Sequence, residues 1–173
     1  MFGLIVYGSL LHTNEIYKYP YKIKEIIPIN VHNYKRSFNL LPSVRVGIGN
    51  YKSVLNVEYC EKEYFNALCI IYEELSIELI DSREKGYQRI QMQLENIEFL
   101  VNPMTSCKNM NIYTYMGYEK NIDSFIMPNV KYLKLCVEGS LLHGEDFHKT
   151  FIRTTHINGK NTLNEFIKSN YNL

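Results

Sequence analysis

The chain has 173 residues, 46% of them hydrophobic, which is enough for one domain over 1–173 with a core of its own. Nineteen Lys and Arg against eighteen Asp and Glu leave a net charge of +1, and this excludes a general electrostatic partner such as nucleic acid or an anionic membrane. Cys60, Cys69, Cys107 and Cys136 are widely spaced with no C-x-x-C pair, and no apolar run approaches the roughly 18 residues of a membrane helix, so a soluble, reduced, cytoplasmic protein without a targeting segment is expected.

In chain order, the apolar run Phe2 to Tyr7 predicts a strand that stops in the small, flexible turn Gly8-Ser9-Leu10. Thr13 is placed to cap a short helix through Tyr17. Alternation at Ile23, Glu25 and Ile27 resumes after Pro28, with Tyr34, Arg36, Phe38 and Leu40 on one strand face and Val44, Val46 and Ile48 on another. Tyr64 to Tyr72 reads as a buried strand. Ser76 caps a helix from Ile77 to Lys85 that stops at Gly86, where a left-handed residue is required. Ile90, Met92 and Leu94 alternate with polar residues, Ile97, Phe99 and Val101 change register at Asn96, and Ile112 to Met116 adds a tyrosine-rich strand. Pro128 opens an amphipathic helix to Leu142 carrying Leu133, Cys136, Val137 and Leu141, ending near Gly144. Thr162 and Glu165 form a capping box for a C-terminal helix with Leu163, Phe166 and Ile167. The class is α+β, with a curved or closed sheet.

Two segments carry chemistry. The turn after the first strand offers backbone N–H groups and the Ser9 hydroxyl to one spot, an arrangement suited to holding an anion. In the helix from Ile77, an advance of about 100° per residue places Glu84 within about 20° of Ile77, so the carboxylate shares the apolar face while Asp81 borders it. Periodicity alone leaves two readings of Glu84, a paired helix-end carboxylate or an acid turned into a cleft.

The remaining polar residues point elsewhere. Tyr113 and Tyr115 lie on opposite faces of one strand, so at most one lines a pocket. Arg36, on the Phe38 face, has the geometry to meet a substrate carboxylate bidentately, but is expected as a solvated or paired residue at a sheet rim. His143 and His148 lack the spacing of a zinc-binding helix, His12, His32 and His156 are scattered, and no metal site is expected. No cysteine has a histidine base in its neighbourhood of sequence, so a thiol nucleophile is not expected. Fifteen tyrosines without a basic stripe suit sheet surfaces better than base stacking.

Tyr7-Gly8-Ser9-Leu10 resembles the Y-G-S-x signature of the gamma-glutamylcyclotransferase superfamily, and Ile80-Asp81-Ser82-Arg83-Glu84-Lys85-Gly86-Tyr87 resembles its second signature, L-D-x-x-E-x-x-Y, with isoleucine in place of the leucine. The tail, Pro128-(x3)-Tyr132-(x5)-Glu138-Gly139-(x4)-Gly144, resembles the closing helices of several bacterial members, and the chain is identified as a bacterial-type member of this gamma-glutamylcyclotransferase-like, or AIG2-like, fold. Asn66-Ala67 stands where many relatives carry glycine. The resemblance implies a small mixed, partly closed, barrel-like sheet surrounded by helices. It implies a cofactor-free intramolecular reaction in which the α-amine of a γ-glutamyl compound attacks its own γ-carbonyl, giving 5-oxoproline and releasing an amine or amino acid. By the same resemblance Glu84 is the general acid/base, Tyr7, Gly8, Ser9 and Leu10 form the substrate cradle, and Tyr87 and Tyr115 are aromatic binding positions. The alternative is a noncatalytic small-ligand-binding or interaction domain of the same fold.

Overall fold

In the computed structural model, which describes residues 1–18, 21–42, 45, 47–157 and 161–171, the chain builds a mixed sheet flanked by helices. The strands are β1 (Phe2–Val6), β2 (Ile23–Leu40), β3 (Tyr51–Tyr72), β4 (Tyr87–Gln91), β5 (Ile97–Phe99), β6 (Ile112–Gly117), β7 (Met127–Pro128), β8 (Thr155–Ile157) and β9 (Asn161–Thr162). The helices are α1 (Thr13–Ile16), α2 (Ile77–Asp81), α3 (Val130–Leu141), α4 (Glu145–Thr154) and α5 (Leu163–Tyr171). Strand order is β4-β6-β1-β3-β2-β8-β9, with β5 also on β2 and β7 on β3.

The long antiparallel pair β2–β3 is the frame of the sheet. It runs from Ile23 opposite Tyr72 to Leu40 opposite Val54, with an irregularity between His32 and Tyr34. There Asn33 and Lys62 take positive φ, 62° and 69°, and the Lys62 N–H donates to Asn33 Oδ1 at 3.3 Å. The bulge bends the pair into two arms. One arm carries β1, and the other carries β8 in parallel. Residues Phe65 to Tyr72 are buried without interruption, as a strand covered on both faces must be.

β1 lies between β3, antiparallel to it, and β6, parallel to it. β4 runs antiparallel to β6, with Tyr87 opposite Gly117 and Arg89 opposite Tyr115. The ends of β1 and β6 and the start of β4 therefore meet at one end of the sheet. Tyr7, Tyr115 and Tyr87 sit at those three places.

Arg36 lies in the core, at 0% exposure, and not at the expected sheet rim. Its Nε donates to Thr155 Oγ1 at 2.9 Å and its Nη1 to the Asn66 carbonyl at 2.6 Å. Its Nη2 donates to Asn66 Oδ1, the Phe151 carbonyl and Thr154 Oγ1 at 3.1–3.3 Å. The guanidinium also stacks 4.0 Å from the Phe151 ring centroid. Burial lowers its pKa to about 9, so it is still a cation at neutral pH. Alternation placed Arg36 on the same face as Phe38 and Leu40, and that face turns out to be covered, by α4 at Arg36 and by Tyr132 of α3 at Phe38.

Several other expectations are corrected. The strand expected over Tyr64 to Tyr72 begins at Tyr51. Helix α2 ends at Asp81, not Lys85, although the Glu84 N–H still bonds back to the Ile80 carbonyl at 3.1 Å. Ser76 holds the N-cap position without accepting an amide proton; its hydroxyl donates to the Glu78 carboxylate. Gly86 has the required positive φ, 95°, but uses it in the turn into β4. His12, not Thr13, caps α1 by accepting from the Asn14 N–H. Pro128 pairs in β7, and Asn129 caps α3 by accepting from the Tyr132 N–H at 3.1 Å. Met92 and Leu94 lie beyond the end of β4, and Val101 lies beyond β5. Helix α4 follows α3 after Gly144, whose φ is 97°. Val44 and Val46 lie outside the described residues. The capping box at α5 is present, with Thr162 N–H donating to Glu165 and Glu165 N–H to Thr162 Oγ1.

Replacing Arg36 by methionine is expected to cost about 2–5 kcal/mol, because it leaves several buried acceptors unpaired. Urea unfolding should show a lower midpoint with an unchanged slope, and an unshifted midpoint would contradict the assignment.

Candidate active site

One cavity of about 510 Å³ opens at the end of the sheet where β1, β4 and β6 converge. Its walls include the turn Tyr7 to Leu10, the apolar side chains of Ile5, Val54 and Leu55, and the tyrosines Tyr87, Tyr115 and Tyr132. Glu15, Arg45, Arg83 and Glu84 complete it. Every residue singled out in the sequence as catalytic or substrate-binding, namely Glu84, Tyr7, Gly8, Ser9, Leu10, Tyr87 and Tyr115, lines this one cavity.

The turn after β1 is a single 3-10 turn, Ser9–Leu11. Within it the Leu11 and His12 N–H groups bond to the Gly8 and Ser9 carbonyls, while N–H groups at the start of such a turn have no partner inside it. Helix α3 braces the turn from behind, and two glycines permit the approach. A Cβ on Gly139 would lie 2.6 Å from the His12 nitrogen, and one on Gly8 would lie 2.4 Å from the Tyr132 hydroxyl oxygen. His143 Nε2 adds a bond to the Leu11 carbonyl at 2.7 Å. This contact, and that of His148 Nδ1 with Ser140 Oγ at 2.7 Å, give these histidines structural partners.

The tyrosines are fixed by their hydroxyls. Tyr7 donates to the Tyr115 carbonyl at 2.6 Å, Tyr87 to the Leu55 carbonyl at 3.0 Å, and Tyr115 to Asp81 Oδ1 at 2.6 Å. Asp81 Oδ2 accepts from Arg89 Nη1 at 2.9 Å. Asp81 thus ties the end of α2 to β4 and β6, and the chain leaving α2 delivers Glu84 to the cavity wall. Tyr113, on the other face of β6, packs edge-on against Phe2 with ring centroids 6.2 Å apart and does not line the cavity.

Glu84 is half-buried, and loss of hydration raises its carboxyl above the ordinary glutamate range; the cations of Arg83 and Arg45 oppose the shift without cancelling it. The inward turn expected from helical periodicity has a different origin, since Glu84 lies beyond the helix. Burial raises the Tyr7 hydroxyl well above its ordinary value, with the charges of Tyr87 and Glu84 adding to the effect.

Arg45, Arg83 and Glu15 were not singled out from the sequence as site residues, and Tyr132 appeared only in the tail that carries the resemblance. Arg45 Nη2 reaches Ser9 Oγ at 3.5 Å and its guanidinium lies 4.7 Å from the Tyr132 ring centroid. Tyr132 had a signal of its own, since it shares a helical stripe with Cys136 and Gly139, all three buried in the structure. Glu15 and Arg83 gave no signal.

No family model matches the sequence, and no curated protein matches it. Among solved structures, the chain is similar to a gamma-glutamyl cyclotransferase at TM-score 0.65 and 13% identity, over 97% of this chain and 98% of that one. It is similar to an uncharacterized protein from Homo sapiens at TM-score 0.63 and 13% identity, over 97% and 96%. A yeast gamma-glutamyl cyclotransferase specific to glutathione gives 0.58 and 13%, over 95% and 96%. The chain therefore has the gamma-glutamyl cyclotransferase fold along nearly its whole length. Among the described residues no helix is long and apolar enough to cross a membrane.

The raised Glu84 carboxyl links folding to pH. The native state holds a proton on Glu84 at pH values where the unfolded chain has released it, so this group's contribution to stability is present below the ordinary carboxylate range and is lost as pH rises through the higher folded value. Glu84→Gln is accordingly expected to unfold later than the parent at neutral pH, and to lose that advantage near pH 4. Thermal unfolding across the range checks this, and a Gln variant less stable at pH 7 than at pH 4, relative to the parent, refutes it.

Proposed function

We propose that the chain cyclises a γ-glutamyl compound to 5-oxoproline with release of an amine or amino acid, Glu84 acting as the general acid/base. The observation that carries this reading is the half-buried carboxyl with a raised pKa, sharing a cavity with the turn Gly8 to Leu10. The fold, similar to that of gamma-glutamyl cyclotransferases, supports the choice of substrate class.

An α-amine with a pKa of about 7.7–8 is mostly protonated at neutral pH and must lose a proton before it attacks. Glu84 takes that proton. The amine nitrogen then bonds to the γ-carbonyl carbon, and negative charge develops on the carbonyl oxygen. The N–H groups of the turn and the Ser9 hydroxyl stabilise this charge or hold the substrate carboxylate, with Arg45 beside Ser9 reinforcing the same pole. The bond to the leaving nitrogen breaks as that nitrogen is protonated. Across the reaction the α-nitrogen loses two protons and the leaving nitrogen gains two, and Glu84 can carry each in turn. A carboxyl with a raised pKa suits both directions of transfer. The close walls hold the substrate folded, which removes part of the entropic cost of ring closure.

Incubation with γ-glutamyl amino acids, glutathione and γ-glutamylamines is expected to release 5-oxoproline from at least one of them. Glu84→Gln should lower kcat by about 10²-fold or more. The acid limb of kcat/KM should inflect above the ordinary glutamate value, because the base must be ionised in the free enzyme. A Gln variant with parental turnover would remove Glu84 from this role.

A further inference from the structure

Between helix α4 and the sheet lies a second cavity of about 450 Å³, which shares no lining residue with the candidate active site. Asn30 and Asn66, opposite each other on β2 and β3, line its floor. A stripe of α4 forms one wall, because Asp146, Thr150 and Arg153 fall within about 60° of one another at about 100° per residue. The stripe starts with an anion and ends with a cation.

The neighbouring acid on α4 is paired locally, Glu145 with Lys149 at 2.6 Å. Asp146 and Arg153, by contrast, make no ion pair with a described residue. The Arg153 guanidinium is nevertheless held at the cavity, its Nη2 donating to Tyr64 Oη at 2.6 Å, and its other N–H groups remain for an acceptor. Between the two charges, the Thr150 hydroxyl makes no hydrogen bond among the described residues. Asn30 donates from Nδ2 to Glu98 Oε2 at 2.9 Å, which leaves its side-chain carbonyl oxygen as an acceptor.

We propose that this cavity is a second binding site, for a dipeptide in its zwitterionic form, with the ligand's ammonium on Asp146 and its carboxylate on Arg153. A dicarboxylate would set an anion against Asp146, and a diamine would set a cation against Arg153. Length narrows the class further. From Asp146 to Arg153 the helix advances about 10 Å, and a charge-assisted hydrogen bond occupies about 2.8 Å at each end. Roughly 5 Å then remains between the ligand's own charges. An α-amino acid, whose ammonium and carboxylate share one carbon, is too short; a dipeptide, at no more than about 3.3–3.6 Å per residue, spans the gap. Its peptide group needs one donor and one acceptor, and the Thr150 hydroxyl and the Asn30 side-chain carbonyl supply them. The site is independent of the cyclisation, since none of its residues reaches the other cavity.

The test is a titration of ¹⁵N-labelled protein, followed by amide chemical shifts, with alanylalanine, N-acetyl-alanylalanine and alanylalaninamide. Alanylalanine should give saturable shifts at Thr150 and Arg153, and masking either of its ends should weaken binding about tenfold. Asp146→Asn should weaken alanylalanine about tenfold and leave the N-acetyl compound unchanged, and Arg153→Gln should do the same while leaving the amide compound unchanged. Both positions are exposed, so the variants keep the fold, which the unperturbed remainder of the spectrum checks. No saturable shift on α4, variants that weaken all three ligands alike or none, or shifts confined to the turn Gly8 to Leu11, overturn the site. Formation of 5-oxoproline is read separately, and its presence or absence leaves this outcome unchanged.

Discussion

A single buried cation organises the helical layer on which the site depends. Arg36 has no carboxylate partner among the described residues, so its charge is dispersed over carbonyls, an amide and two hydroxyls drawn from β3, α4 and β8. Ionised groups taken out of water are stable only when such bonds are in place. Asn66 contributes twice, accepting from Arg36 and donating from Nδ2 to the Phe147 carbonyl at 2.7 Å. Those bonds lock α4 to the sheet. Helix α4 then packs against α3, where His148 meets Ser140, and α3 presses Gly139 and Tyr132 against the turn after β1. The turn after β1 is held in place by a chain of contacts that begins well behind it.

The cavity concentrates opposed requirements. Its apolar walls raise the proton affinity of Glu84, while the cations of Arg83 and Arg45 keep part of its acidity. The raised carboxyl carries a stability cost at neutral pH. The phenols show the same economy of protons. Each places its own hydroxyl proton on an acceptor within the protein, and by doing so ties together the strands and the end of α2 that frame the cavity.

Much of this was legible in the sequence, and the gaps have physical causes. The apolar run of β1, the buried second half of β3, the tyrosine strand β6 and the capping box of α5 are signals contained within a few residues. Glu84 was read as inward-facing from a helix that stops at Asp81, because periodicity cannot see that Asp81 is recruited by Tyr115 and Arg89, partners distant in sequence. Helix α4 was missed since its polar N-terminal residues Glu145 and Asp146 follow the end of α3 after only Leu142, His143 and Gly144, too short a break to read as a new helix. Arg36 was misplaced because composition says that arginines are exposed, and only tertiary structure supplies the acceptors that allow otherwise. The departure Asn66-Ala67 now has a reason, since Asn66 is the side chain that Arg36 requires. Arg45 became visible only when the fold placed it on the cavity wall.

The claim that the cavity closes a ring without consuming water is tested most directly by isotope. The protein would be incubated with γ-glutamylalanine and with glutathione in ¹⁸O-labelled water, and the products read by mass spectrometry. Cyclisation predicts 5-oxoproline carrying no heavy oxygen, formed together with the free amine product. Glutamate that has gained ¹⁸O, or the absence of either product, would contradict it.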